Sequence, residues 1–231
     1  MKKLKYIFLL AGALSLASCE SWLDEDPQYT INTKTQFSTV ENARQALMGC
    51  YGYMSADNAY GQAWQEVTFG YCGFGWSQTN GSSTDLLVSM DGGIDETINT
   101  MAWRGMYKVI GETNAFIANI ADSPLESADK LPMEAAARFL RALAYYNLAV
   151  TYGDVPLKTT PSAHDGVAVP RSPKSEVFEL VCTDWEFAYE NLPEKDDDGF
   201  ATKWAAKAYL GKLYHTCLLY TSPSPRDSTS S

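Results

Sequence analysis

The chain has 231 residues, with 18 Lys+Arg against 28 Asp+Glu and a net charge of −10. So acidic a surface repels phosphate, which argues against nucleic acid and against peripheral attachment to anionic headgroups, and leaves neutral or cationic ligands open. Its two histidines, His164 and His215, sit in no HxxxH or Ser/His arrangement, and its five cysteines show no CxxC or zinc-type spacing. No triad, zinc site, other metal or cofactor is therefore expected.

In chain order, Lys2, Lys3 and Lys5 form a positive n-region, and residues 6–16 are an apolar run of signal-peptide length, too short to span a bilayer. Leu16-Ala17-Ser18-Cys19 resembles the bacterial lipobox, in which the cysteine is acylated and becomes the mature N-terminus. Residues 1–18 are thus expected to be a lipoprotein signal peptide and Cys19 the lipid attachment site. Each buried methylene of an acyl chain contributes roughly 0.8 kcal/mol, so a multiply acylated cysteine holds a protein on a membrane without a transmembrane helix. Residues 19–36 are a polar tether with Trp22-Leu23 as an apolar island.

Helix signals follow. Ser38 with Glu41 reads as a capping box opening a helix through Val40, Ala43, Leu47, Cys50, Tyr51 and Met54. Residues 55–95 lack periodicity and are rich in glycine and aromatic residues; a loop of that length in a compact domain is usually functional or disordered, and its aromatics favour function. Trp103, Met106, Tyr107, Ile110, Ala115, Phe116 and Ile120 predict a long helix ending before Ser123-Pro124. The strongest helix runs over residues 133–152, closed by Gly153 with Pro156 beyond, and is expected to lie antiparallel to the preceding one. Ser172 as N-cap and Pro173 as first helical residue open another through Val177, Leu180, Val181, Trp185, Ala188 and Leu192, stopped by Pro193. A last helix carries Thr202, Trp204, Ala205, Ala208, Tyr209 and Leu213. Trp103, Trp185 and Trp204 fall on periodic faces and are expected in the core.

Residues 217–231 back-translate onto one reading frame of a transposase adaptor used in sequencing libraries, so natural sequence is expected to stop near Thr216; the alternative is a natural Ser/Pro-rich tail. Setting aside Lys2, Lys3, Lys5, Arg226 and Asp227 leaves 14 basic and 27 acidic residues, a net charge of −13. Cys50, Cys72 and Cys182 then remain, enough for one disulfide.

Paired helices with modest connections and no parallel-sheet alternation predict an all-α fold of tetratricopeptide-like helical hairpins, although no strict 34-residue repeat is present. Several segments together resemble the SusD/RagB outer-membrane nutrient-binding lipoproteins of Bacteroidetes. They are Leu23-Asp24 and Pro27 after the lipobox, Phe37-Ser38-Thr39, Gly49-Cys50-Tyr51, and Trp103-x-x-Met106-Tyr107-x-x-Ile110-x-x-Thr113-Asn114. They continue with Ala137-Arg138-Phe139-Leu140-Arg141-Ala142 running on to Leu148, then Tyr152-Gly153-Asp154-Val155-Pro156-Leu157, and last Thr202-Lys203-Trp204-Ala205 on to Leu210. The resemblance implies a helical scaffold with irregular ligand-binding insertions, tethered by lipid to the outer leaflet of the outer membrane. It implies a non-catalytic lid over a SusC-type TonB-dependent transporter, to which it passes a glycan or, in some members, a peptide. Members are much longer than this chain, so residues 37–216 are expected to be the N-terminal helical domain of an incomplete protein.

A carbohydrate site needs exposed aromatic platforms flanked by hydrogen-bonding side chains. In the 55–95 segment the candidates are Trp64 and Trp76 as platforms, with Gln78, Asn80 and Asp85 as polar partners. Burial beneath the loop is the competing reading for either tryptophan. Two rival functions follow: a helical-repeat lipoprotein that binds peptide or protein, which gains if both tryptophans point inward, and a surface glycosidase, which needs two carboxylates roughly 5 to 9.5 Å apart in a cleft. Arg138 and Arg141, in an apolar helix, are expected to pair with carboxylates or carbonyls of neighbouring helices. Asp154 is expected to fix its turn through backbone hydrogen bonds, and Asp196-Asp197-Asp198 to be a solvated surface rather than a cation site.

Overall fold

The computed structural model describes residues 33–70, 72, 88–90, 97–161, 169–196 and 198–221. The fold is all-α, as expected. A short helix α1 (Thr33–Gln36) precedes α2 (Val40–Ser55), and the join differs from the capping box predicted. Thr39, in extended backbone, is the N-cap, and its Oγ1 accepts from the Asn42 N–H at 3.2 Å. Ser38 is occupied one residue earlier, where its hydroxyl donates to the Thr35 carbonyl at 2.8 Å and closes α1.

The stretch after α2 corrects a larger part of the expectation. Where a loop was predicted from residue 55, the chain makes a π-helical turn (Asp57–Gly61) and then α3 (Ala63–Gly70). Ala63, Trp64, Val67 and Gly70 are its buried positions, a helical spacing of i, i+1, i+4 and i+7 that the surrounding glycines and aromatics hide. The turn is seated against α4 (Thr97–Ala121) at Gly105, where a Cβ would overlap the Asn58 carbonyl, so only glycine permits the approach.

Helix α5 (Ser127–Tyr152) begins six residues before the predicted start and carries Pro132 inside it. The proline forfeits one backbone bond, which an exposed first turn tolerates because water serves the freed carbonyl. Gly153, at φ +76°, ends the helix. Val155 and Pro156 then pair antiparallel with Ser172 and Arg171 in a two-residue ladder, β1 (Val155–Pro156) with β2 (Arg171–Ser172). Ser172 is thereby used in the ladder and does not cap α6 (Lys174–Asn191). Pro173 takes the N-cap position without a side-chain bond, and Asp154, twenty residues back, accepts from the Lys174 N–H at 2.9 Å. Asp154 thus reaches across the ladder to the helix start, where its charge also suits the helix dipole. The last described helix is α7 (Lys203–Thr221).

The long helices run up and down. Tyr152 of α5 donates to the Asn99 carbonyl at one end of α4, and Lys130 donates to the Ala121 carbonyl at the other. Phe139 and Tyr146 of α5 meet Trp185 and Phe178 of α6 in that crossed order, and Tyr209 and Lys203 of α7 likewise meet Trp185 and Glu194. Helix α5 lies at the centre, buried almost continuously over residues 133–149, as a helix enclosed by α2, α4 and α6 must be. Trp185 is fully buried beside it, with its indole N–H donating to the Phe139 carbonyl at 3.3 Å. Trp103 is half-buried, and Trp204 departs from the core expectation: it is 51% exposed on α7. Among the described residues no helix is long and apolar enough to cross a membrane.

Candidate functional site

Of the residues singled out for ligand binding, the structure places Trp64. Only 6% of it is exposed, on the inward face of α3, with its ring 6.4 Å from that of Tyr60. Tyr60 in turn accepts a hydrogen bond from the Asn147 side chain of α5 at 2.7 Å, and burial pushes its phenol above the ordinary value while the Asn147 bond opposes the rise. Trp64 therefore takes the interior reading: an indole so enclosed has no free face on which a sugar ring can stack. Cys19, Trp76, Gln78, Asn80 and Asp85 lie outside the described residues. On the same helix, Phe69 is 61% exposed, an aromatic platform passed over because α3 was not read as a helix. Its signal was present, since 64 and 67 define the inner face and 69 falls opposite.

A second group of aromatics borders the connection after α5. The half-buried Trp103 ring lies 5.0 Å from Tyr107 and 5.1 Å from Tyr152, the latter edge-on. Beneath them the 156–160 segment is tied to the helices by side chains. Tyr107 donates to the Pro156 carbonyl at 2.7 Å; Tyr145 bonds both the N–H and the carbonyl of Lys158; Asn114 donates to the carbonyls of Lys158 and Thr160. Asn114 is itself oriented, because its carbonyl oxygen accepts from Arg141 at 2.9 Å, leaving its amide N–H groups for the segment. Arg141 completes the chain with a bidentate pair to Asp184 of α6, both contacts at 2.8 Å. Arg138 adds a longer contact to Asp184 and a close one to Glu134. Both arginines are thus partnered as expected, and a rigid connection leaves α5 on a fully hydrogen-bonded floor.

The chemistry available is that of binding. Asp184, fully buried, is committed to two guanidinium groups and is no proton donor for a glycosidic oxygen. Burial, with Glu112 nearby, pushes the Cys50 thiol up to about 12, which keeps it neutral and unreactive. Cys50, Cys72 and Cys182 are free thiols. Among the described residues no three His, Cys, Asp or Glu side chains gather as a metal site requires. Asp196 and Asp198 bind Arg44 instead, with contacts of 3.3 and 2.5 Å.

Residues 21–215, spanning the whole described helical array up to the last turns of α7, match the SusD-like family described as starch-binding and associating with the outer membrane. The chain belongs to the SusD-like family. It is 26% identical over 223 residues to SusD-like protein P25 of Formosa agariphila, a match that takes in 90% of this chain and 42% of that protein. A SusD superfamily crystal structure from Bacteroides thetaiotaomicron superposes with a TM-score of 0.69 at 25% identity, over 79% of this chain and 43% of the other. Another crystal structure, described with xylogluco-oligosaccharide, superposes with a TM-score of 0.63 at 26% identity, over 73% of this chain and 34% of the other. The chain therefore spans less than half the length of the SusD-like proteins it matches. The family is carbohydrate-binding and associated with the outer membrane.

Proposed function

We propose that this protein is a non-catalytic, surface-exposed outer-membrane lipoprotein, anchored through Cys19, that captures oligosaccharides and delivers them to a SusC-type TonB-dependent transporter. The observation that carries the reading is the SusD-like match over residues 21–215, and the xylogluco-oligosaccharide bound by a structural relative supports a glycan ligand. The lipobox-like Leu16-Ala17-Ser18-Cys19 supports the anchor. With Trp64 buried, the capture role falls to Trp76 as stacking platform, with Gln78, Asn80 and Asp85 beside it as hydrogen-bonding partners, and Phe69 as a further exposed aromatic.

The test is intrinsic tryptophan fluorescence of the mature protein, expressed from the complete source gene, titrated with a panel of oligosaccharides. A saturable change that disappears in Trp76→Ala is expected. Silence towards every glycan, with saturable binding of peptides, overturns the sugar reading in favour of peptide import.

A further inference from the structure

Helix α7 is apolar on more sides than its neighbours cover. Ala206, Leu210 and Leu213 are buried against α6, and Tyr209 reaches Phe139 of α5 at 5.6 Å. Trp204 and Tyr214, on other sides of the same helix, are each 51% exposed. A helix with apolar side chains all round is one that other elements enclose. Helices α5 and α6 obey this, each lying between two packed neighbours, whereas α7 has no long helix beyond it among the described residues. Along its seam with α6 runs an open groove of about 400 Å3 whose wall is almost wholly apolar, made by Phe178 and Cys182 of α6 and Leu213 and Tyr214 of α7, with Lys174 and Glu179 beside them. The volume suits a row of side chains from one helix better than a sugar, since the groove offers few hydrogen-bonding partners.

We propose that this groove seats an amphipathic helix belonging to the same protein beyond the present chain, which makes α7 an interior helix of a longer antiparallel stack. Two independent observations select that occupant. The matched relatives have more than half of their length outside the aligned part, and the family match runs to residue 215, on α7 itself. The charges beside the groove, Lys174 and Glu179, are one of each sign, which suits the mixed polar flank of an amphipathic helix and not a uniformly charged partner. Every residue invoked lies within the family match.

The experiment uses the complete protein from the source gene, carrying a photoreactive benzophenone side chain at Tyr214, irradiated at low micromolar concentration and mapped by mass spectrometry. The exposed ring position tolerates the change, and the same side chain placed at Ser175, on the α6 wall, gives a second reading. Crosslinks from both sites to one helix-length stretch of the same chain after residue 216 are expected. Crosslinks to a second copy, crosslinks to nothing in the protein, or a gene whose reading frame ends within α7 would each overturn the proposal.

Discussion

Asp184 is where one atom group matters most. It is wholly buried and shares its oxygens between Arg141 and Arg138, so Asp184→Asn leaves two guanidinium groups short of their counter-charge in the interior. The cost expected is about 3–5 kcal/mol, read as a fall in the urea midpoint with an unchanged slope, because breaking one side of a buried pair strands the other. Glu112→Gln, which breaks the exposed pair with Lys108 at 2.6 Å, is the control and costs no more than about 1 kcal/mol. Part of this was legible in the sequence: an arginine in an apolar helix must find a partner, and both Arg138 and Arg141 do. Which carboxylate serves was not, since Asp184 lies 43 residues from Arg141 and carries no local mark. Trp64 was illegible for the opposite reason, because an aromatic residue's type is equally compatible with platform and core, and only the face of α3 decides.

At the scale of elements, helix positions were read from apolar periodicity and helix starts were not, because a start is set by whichever oxygen reaches the first N–H groups. Thr39 displaced Ser38 by one residue, and at α6 the oxygen comes from Asp154 across the ladder. Asp154→Ala is therefore expected to cost about 0.5–2 kcal/mol in urea unfolding, as loss of a cap does, although the residue precedes the helix by twenty positions. Between α6 and α7 a second long-range tie joins the connection to α2. Arg44 lies 4.6 Å over the Phe200 ring while it binds Asp196 and Asp198, and the Ala201 N–H donates to the Tyr51 hydroxyl. Desolvation alone would raise the Asp196 carboxyl, but the N–H groups of Phe200 and Asp198 and the Arg44 guanidinium together bring it below its ordinary value. A carboxyl lowered by folding adds stability that is complete above the unfolded value of about 3.9 and is lost as pH falls through the lower folded one. Urea midpoints of the protein and of Asp196→Asn should then differ at pH 6 and converge below about pH 4; a gap that persists in acid would mean the aspartate acts through shape and not charge.

For the whole molecule, the exposed aromatics of α7 decide between self-association and enclosure. A tryptophan or tyrosine buries roughly 150–250 Å2, so the open halves of Trp204 and Tyr214 together offer on the order of 200 Å2, about 5 kcal/mol at 25 cal/mol per Å2. Two separate molecules lose about 4–15 kcal/mol of translational and rotational freedom on joining, which this patch does not outweigh by itself. A helix already attached to the same chain escapes most of that cost, so the same surface suffices to seat it. The present chain is accordingly expected to stay largely monomeric at micromolar concentration while binding a hydrophobic dye, because the patch is open but too small to hold a second copy. The double variant Trp204→Lys with Tyr214→Lys should lose most of the dye fluorescence and keep its helical circular dichroism, since neither side chain supports the buried α6–α7 seam at Leu210 and Leu213. A tight dimer in light scattering, dissolved by the double variant, would show that the patch pairs with itself; undiminished dye binding would place the open apolar surface elsewhere on the molecule.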